Sequence, residues 1–302
     1  MKSILAFLLC VPLSLAAQVD SSTFSVNKIK RIERRAEQHR YLALSFGSNS
    51  YWNRDYATSP IGYSGTIPNG EIAYRSTGER KIEEIVVGFS GGNIYGETDF
   101  ARYQSLALSG YVAYNWLTPI AFKPPKWDLH IGVNNFFTFN NRINSNYFNA
   151  AYNFDYLNAT SLAARVQTRI KYAKGQKTLF RKRKGRNTDL WVDWNMQLNL
   201  PLLFLYTRPY YSVVEDFTDG KDDDAASDIQ VGWYPDVWRY TFKTEVVWHL
   251  KNGNGIQMKY LYDMYQIDNP SNTVQSAQHM FNLGILFKLD KKGIYTTQKS
   301  SR

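Results

Sequence analysis

The sequence predicts an all-β protein: a transmembrane, antiparallel up-and-down β-barrel of about ten strands, with roughly eight to twelve compatible with the pattern. Three observations predict it. In "TDLWVDWNMQLNLPLLFLY" (188–206), Leu190, Val192, Trp194, Met196, Leu198, Leu200 and Leu202 alternate with Trp191, Asp193, Asn195, Gln197 and Asn199. A strand places the first set on one face and the second on the other. The 302 residues are 44% hydrophobic and 16% aromatic, with 22 Tyr, 17 Phe and 8 Trp, an aromatic-rich, moderately apolar balance that suits barrel walls facing lipid. Finally, the connections between strand-like segments alternate between long and short, as hairpins threaded through a bilayer require.

The elements follow in order. Met1-Lys2-Ser3 is a short charged n-region, and Ile4 to Leu15 an apolar h-region with small residues after it. Residues 1–17 therefore read as a secretory signal peptide, cut near Ala16 or Ala17 before Gln18. The apolar run is shorter than the roughly 20 residues of a spanning helix. Cys10 is the only cysteine, and Leu9 stands where a lipoprotein signal needs a small residue. Removal of 1–17 leaves no cysteine, which excludes disulfides and cysteine metal sites. Residues 18–40 form a leader ending in "KIKRIERRAEQHR" (Lys28–Arg40), a basic stretch expected as a short surface helix. The barrel occupies 41–288 and a basic tail 289–302. The net charge of +10 would suggest nucleic acid in a cytosolic protein. In a secreted chain it points to anionic lipid or an acidic partner.

Ten segments read as strands: Tyr41–Tyr51, Glu71–Ser76, Lys81–Ile94, Tyr103–Leu117, Trp127–Phe137, Leu157–Tyr172, Leu190–Tyr206, Trp238–Leu250, Ile256–Ile267 and Met280–Lys288. Most are near the 9 to 11 residues of a tilted barrel strand. The fourth sets Leu106, Leu108, Val112 and Trp116 against Ser105, Ser109 and Asn115; the fifth sets Trp127, Leu129, Ile131 and Val133 against Asp128, His130, Gly132 and Asn134. The eighth sets Trp238, Tyr240, Phe242, Val246 and Trp248 against Arg239, Lys243, Glu245 and His249. "TGER" and "KNGNG" are tight turns, and Asn252-Gly253 and Asn254-Gly255 supply residues that tolerate positive φ. "NRDYATSPIGYSGTIPNG" and the stretch 207–236 are expected as long loops on the opposite side, and "AKGQKTLFRKRKGRNTD" as one long basic turn. By the barrel rule both termini then lie in the periplasm.

Hairpin repeats, a leader and a last strand "MFNLGILFKL" with Phe281, Leu283, Ile285 and Phe287 on one face resemble small outer-membrane β-barrel proteins of Gram-negative bacteria. The resemblance covers nearly the whole chain after residue 17 and is one of architecture. It implies an outer-membrane location, contact with outer-membrane lipid, and a terminal strand read by the barrel-assembly machinery. The chain departs from that pattern by continuing into "DKKGIYTTQKSSR".

Candidate chemistry is sparse. Gly88-Phe89-Ser90-Gly91-Gly92 has the G-x-S-x-G spacing of a hydrolase nucleophile, but that motif works only at a strand-to-helix turn, and no helix pattern follows. Asp128-Leu129-His130 puts a carboxylate and an imidazole on one strand face and resembles the Asp-x-His half-site of omptin proteases. There the site lies at the extracellular mouth; here the pair begins an outward-running strand near the periplasm. His249 and His279 lack the following serine of a lipid-modifying dyad. Asp219–Asp228 lacks the spacing of an EF-hand.

The lumen-facing positions carry more. Asp128, His130, Arg165, Arg169, Asp193, Arg239, Glu245 and Asp263 are expected to form an interior charge network, supported by Gln167, Lys171, Asn195, Gln197, Lys243 and Lys259. About ten strands enclose little more than their own side chains, and unpaired charges there would be costly. Arg181, Lys182, Arg183 and Lys184 form a basic patch for anionic lipid or a protein partner in the periplasm or membrane. No catalytic residue, metal or cofactor is expected. The functional expectation is a non-enzymatic accessory or structural subunit of an envelope assembly. The alternatives are a narrow channel for small anions, then an outer-membrane hydrolase.

Overall fold

A sheet with one apolar and one polar face can stand in a bilayer only if it closes, because an open edge leaves N–H and C=O groups without partners in hydrocarbon. The computed structural model shows how this chain closes. Its strands are β1 (His39–Asp55), β2 (Ser59–Thr77), β3 (Ile82–Glu97), β4 (Arg102–Ile120), β5 (Asp128–Asn144), β6 (Ala151–Ala173) and β7 (Leu190–Thr207), then two short pieces, β8 (Ser212–Val213) and β9 (Gln230–Gly232), and finally β10 (Val237–His249), β11 (Gly255–Ile267) and β12 (Val274–Lys288). Neighbours in sequence pair antiparallel from β1 to β7; β7 pairs with β10, and β12 returns to β1. Ten long strands thus form a closed antiparallel barrel, while β8 and β9 extend the upper ends of β6 and β7.

The structure describes residues 39–289 apart from 57–58, 79, 98–101, 121–126, 145–150, 174–189, 209–211, 214–228, 251 and 269–272. The expected signal peptide (1–17), the expected leader, most of the stretch expected as a basic helix, Arg181 to Lys184, the acidic run Asp219–Asp228 and the tail beyond Leu289 lie outside the described residues. The expected helix does not reach Arg40. β1 begins at His39, Tyr41 pairs with Lys288, and the Leu289 N–H donates to the Arg40 carbonyl at 2.9 Å.

Two expectations about length are corrected. β2 has 19 residues rather than the six of Glu71–Ser76, and most of the expected first loop is strand. Pro60, Gly62, Gly65, Pro68 and Gly70 weaken the β signal of that stretch, yet its side chains have a place to pack. Tyr63 and Ile67 bury against Tyr51, Ile94 and Ala107, and Ser64 and Asn69 pair with Tyr95 and Ser90. The loops between β1 and β2 and between β3 and β4 are consequently short, and the length asymmetry rests on the connection from β7 to β10. Strands run 13 to 23 residues, longer than the bilayer needs. His279 likewise sits inside β12, where its Nδ1 meets the Tyr260 hydroxyl at 2.8 Å.

The faces sort as alternation requires. Val87, Phe89, Val112, Leu200, Leu283 and Ile285 are exposed on the outside, whereas Asn49, Glu84, Arg165, Glu245, Asp263 and Gln278 are buried inside. On β10, outward Trp238 and Trp248 are ten positions apart, which for a tilted strand spans about 25 Å, the height of the apolar band between aromatic girdles. The Leu250–Asn254 turn closes with Leu250 N–H to Asn254 O at 2.7 Å and Gly253 N–H to Leu250 O at 2.9 Å. Among the described residues of this turn Gly253 takes the positive φ, at 88°; Gly255 already belongs to β11. Inside, Gly88 stands beside Tyr111 on the neighbouring strand, whose ring covers it.

Candidate functional site

The lumen contains the chemistry, and strand alternation puts it there. At mid-barrel, Arg75 on β2, Glu84 on β3, Asn115 on β4 and Asn134 on β5 are successive cross-strand partners. Arg75 Nη2 donates to Glu84 Oε1 at 2.6 Å and to Glu245 Oε2 at 2.6 Å, and its Nη1 to Glu245 Oε1 at 2.8 Å. Glu84 Oε2 accepts from Arg165 Nη2 and Lys243 Nζ, both at 2.6 Å, and from Asn115 Nδ2 at 3.3 Å. Arg165 also donates through Nε and Nη2 to Gln197 Oε1, at 2.9 and 2.7 Å. Gln197 in turn donates to Asn115 Oδ1 at 2.6 Å and Asn199 Oδ1 at 2.8 Å.

The topology makes one of these bonds decisive. Counting around the ring of ten, β3 and β10 are five strands apart in either direction, so Glu84 and Lys243 come from opposite walls. Their 2.6 Å contact means that side chains meet across the diameter. Glu84 is 1% exposed. Charges so placed are tolerated because each is bonded to an opposite charge; alone, any of them would carry a heavy desolvation cost.

Further layers stack on this one. Lys259 Nζ donates to Glu71 Oε2 at 2.6 Å, and Tyr111 Oη donates to the same oxygen. Arg239 forms a fork with Asp263, Nε to Oδ1 and Nη2 to Oδ2 at 2.8 Å each, and lies 4.1 Å over the Phe136 ring. Its Nη1 also reaches the Phe136 carbonyl at 3.2 Å. Towards the loop end, Arg142 bonds Asp55 at 3.1 Å and Asp155, while Arg208 bonds Asp55. Tyr265 and Asn140 also donate to Asp155.

The residues singled out in the sequence are distributed as follows. Arg165, Glu245, Arg239 and Asp263 lie in the layers just described. Arg169 and Asp193 are partners at the end of the barrel that carries the termini, Nε to Oδ1 at 2.7 Å. Asp193 is buried there but the Arg169 side chain is 54% exposed, so this pair belongs to a rim. His249 Nε2 lies 2.9 Å from Asp193 Oδ2, and its ring is 5.2 Å from that of Trp191. His130 is buried with its Nδ1 unbonded, whereas Asp128 is exposed at the start of β5. Among the described residues the aspartate–histidine side-chain contact is Asp193–His249, between strands β7 and β10. Ser90 lies mid-strand on β3, buried, and accepts from Asn49 Nδ2 at 3.0 Å; that is no setting for a nucleophile at a strand-to-helix turn. Sequence reasoning missed Arg75, Glu84, Glu71, Arg142 and Asp155. A charge alternating with the outward Ile72 and Tyr74, on the same face as Glu71 and Ala73, was the available signal for Arg75.

A closed ring of ten strands, apolar where it meets lipid and charged within, defines a transmembrane β-barrel of the outer-membrane type found in Gram-negative bacteria. Its location is the outer membrane. No family model and no curated protein matches the chain. Among solved structures, it is similar to the outer membrane protease OmpT from Escherichia coli, at 6% identity over 83% of this chain and 96% of that one, with a TM-score of 0.49. It is also similar to the translocator domain of the autotransporter NalP from Neisseria meningitidis, at 9% identity, 88% and 97% coverage, and a TM-score of 0.35. An outer membrane channel from Pseudomonas putida F1 gives 10% identity, 82% and 96% coverage, and a TM-score of 0.33. At such identities nothing of their activities transfers to this chain.

Proposed function

We propose that this barrel is a non-enzymatic, non-conducting accessory or structural subunit of an envelope assembly, which binds another component through its loops or its basic terminal side. The observation that carries the reading is the Glu84–Lys243 contact between opposite walls, with Arg75 and Arg165 joined to the same carboxylate. A lumen crossed at that height by bonded side chains is a packed interior. Its cations are committed to carboxylates, which speaks against the alternative of a narrow anion channel. The test is conductance of the purified barrel in a planar bilayer. Wild type should show no steady current; an ohmic, anion-selective current would overturn the reading.

The basic segment Arg181 to Lys184 supports the choice of partner. A cation near an anionic surface is worth about 1 kcal/mol, an effect that decays within a Debye length. Replacing these four residues by Gln should leave the barrel folded and weaken its association with anionic lipid or an acidic periplasmic protein in a salt-dependent way. The exposed row Phe281, Leu283, Ile285 and Phe287 on the final long strand supports delivery by a barrel-assembly machinery.

A further inference from the structure

The wall of the barrel is split at one place. β10 pairs with β7 from Trp248↔Val192 up to Thr241↔Asn199. Pairing on that side of β7 resumes only at Phe204, opposite Gly232 of β9. Between these points one side takes five steps, Asn199 to Phe204, and the other nine, Gly232 to Thr241. The four surplus residues bulge outwards as the Trp233–Asp236 turn, closed by Val237 N–H to Trp233 O at 3.0 Å. No strand pairs with Leu200 to Leu203 on that side among the described residues, and Pro201 there has no N–H to offer.

A cavity of about 710 Å³ fills the split, within the size range of small-ligand sites. It is lined by residues of both faces of the sheet. Leu202, Trp238 and Tyr240 face lipid, whereas Phe204 and Arg239 face the lumen. Its mouth lies at the level of the aromatic girdle, among side chains that a soluble protein would hide: Leu202 is 62% exposed, Trp233 60% and Tyr234 80%. The phase in contact with this mouth is the bilayer, so its occupant must be membrane-borne and apolar along most of its length.

The lining also carries two polar side chains at the end of β11, Gln266 and Asp268. The Gln266 carbonyl oxygen already accepts from Gln275 Nε2 at 3.0 Å, which leaves its amide N–H groups as donors. Asp268 is exposed; its Oδ1 accepts from Thr273 Oγ1 at 2.8 Å, and its Oδ2 is the acceptor it offers the cavity. Arg239, the cation in the lining, is committed to Asp263 and the Phe136 carbonyl. Among the described lining residues no further cation offsets Asp268 for a carboxylate or phosphate, whereas a hydroxyl finds both a donor and an acceptor. We propose that the split between β7 and β10 is a lateral binding site for a neutral, hydroxyl-headed single-chain amphiphile that enters from the membrane.

The test uses the full barrel in phosphatidylcholine vesicles with a long-chain alcohol carrying a photoactivatable diazirine, and maps the adducts by peptide mass spectrometry. Peptides containing Leu200–Phe204 and Tyr234–Tyr240 should carry several-fold more label than equally lipid-exposed peptides around Val87 and Leu283. Leu202→Trp, which fills the mouth, should remove the excess while Leu283→Trp leaves it. Gln266→Leu, which keeps the volume, should reduce it and so controls for misfolding of the first variant. Even labelling of all lipid-facing strands would overturn the site. Equal seam labelling by a diazirine fatty acid of the same length, held ionised, would overturn the head-group assignment.

Discussion

Replacing Glu84 by Gln keeps shape and volume but removes the charge that three cations share. The cluster holds Arg75, Arg165 and Lys243 against Glu84 and Glu245, three positive charges to two negative. In Glu84→Gln it becomes three to one. Arg75 retains Glu245 and Arg165 retains Gln197, but Lys243 loses the carboxylate that accepts its ammonium at 2.6 Å. Breaking a buried pair by removing one partner costs about 3–5 kcal/mol. With a urea slope near the upper end of about 1–3 kcal/mol per M, the midpoint should fall by roughly 1–2 M. Unfolding followed by tryptophan fluorescence in lipid vesicles gives the midpoint directly. Lys243→Met should cost less, because Glu84 keeps two arginines, and the double variant should recover much of the loss. A Glu84→Gln stability within about 0.5 kcal/mol of wild type, with the double variant no more stable than the single, would mean that these charges are hydrated rather than bonded.

Val87→Arg, at an exposed position on the lipid face of β3, should lower the folded fraction recovered in vesicles by an amount equivalent to about 2–4 kcal/mol; normal recovery would show that the face is misassigned. A Cβ added at Gly88 would lie 2.2 Å from the Tyr111 ring, so Gly88→Ala should displace Tyr111 from Glu71 and cost about 1–3 kcal/mol in the same titration. Arg165→Ala and Arg169→Ala should separate interior from rim: the first, 1% exposed, should cost about 3–5 kcal/mol, the second about 1 kcal/mol or less. Equal losses would contradict the placement of Arg169 at the mouth.

What the sequence made legible depends on how strictly its faces differ. On β7 and β10 every lumenal position from Asp193 to Asn199 and from Arg239 to Glu245 is polar while its neighbours are mostly apolar, so register could be read residue by residue. β3 gives no such contrast. Ile82 and Val86 face inwards and Ile85 and Val87 outwards, so the pattern cannot tell Glu83 from Glu84. The structure sends Glu84 to the centre, and Glu83 to an outer pair with Lys81 at 2.5 Å. Arg142 and Asp155 were lost for another reason. β5 and β6 continue past the bilayer, where no lipid imposes alternation, and the sequence reading stopped at Phe137 and resumed at Leu157. The split wall between β7 and β10 left only Pro201 as a trace, because a bulge of four residues arises from pairing and not from composition.

The bonds through Glu84 also bear on time. Its partners Arg165 and Lys243 lie 81 and 159 residues further along the chain, Arg75 and Glu245 are separated by 170, and Glu71 and Lys259 by 188. Apart from Glu84–Arg165, which joins β3 to β6, these contacts cannot form until β10 and β11 have been delivered to the ring, and bringing such distant segments together carries the chain entropy of long loops. Interactions absent from the transition state slow unfolding and leave the folding rate nearly unchanged. The central charges therefore act after closure: they set the lifetime of the finished barrel in its membrane, while the speed of its insertion is left to the hairpins.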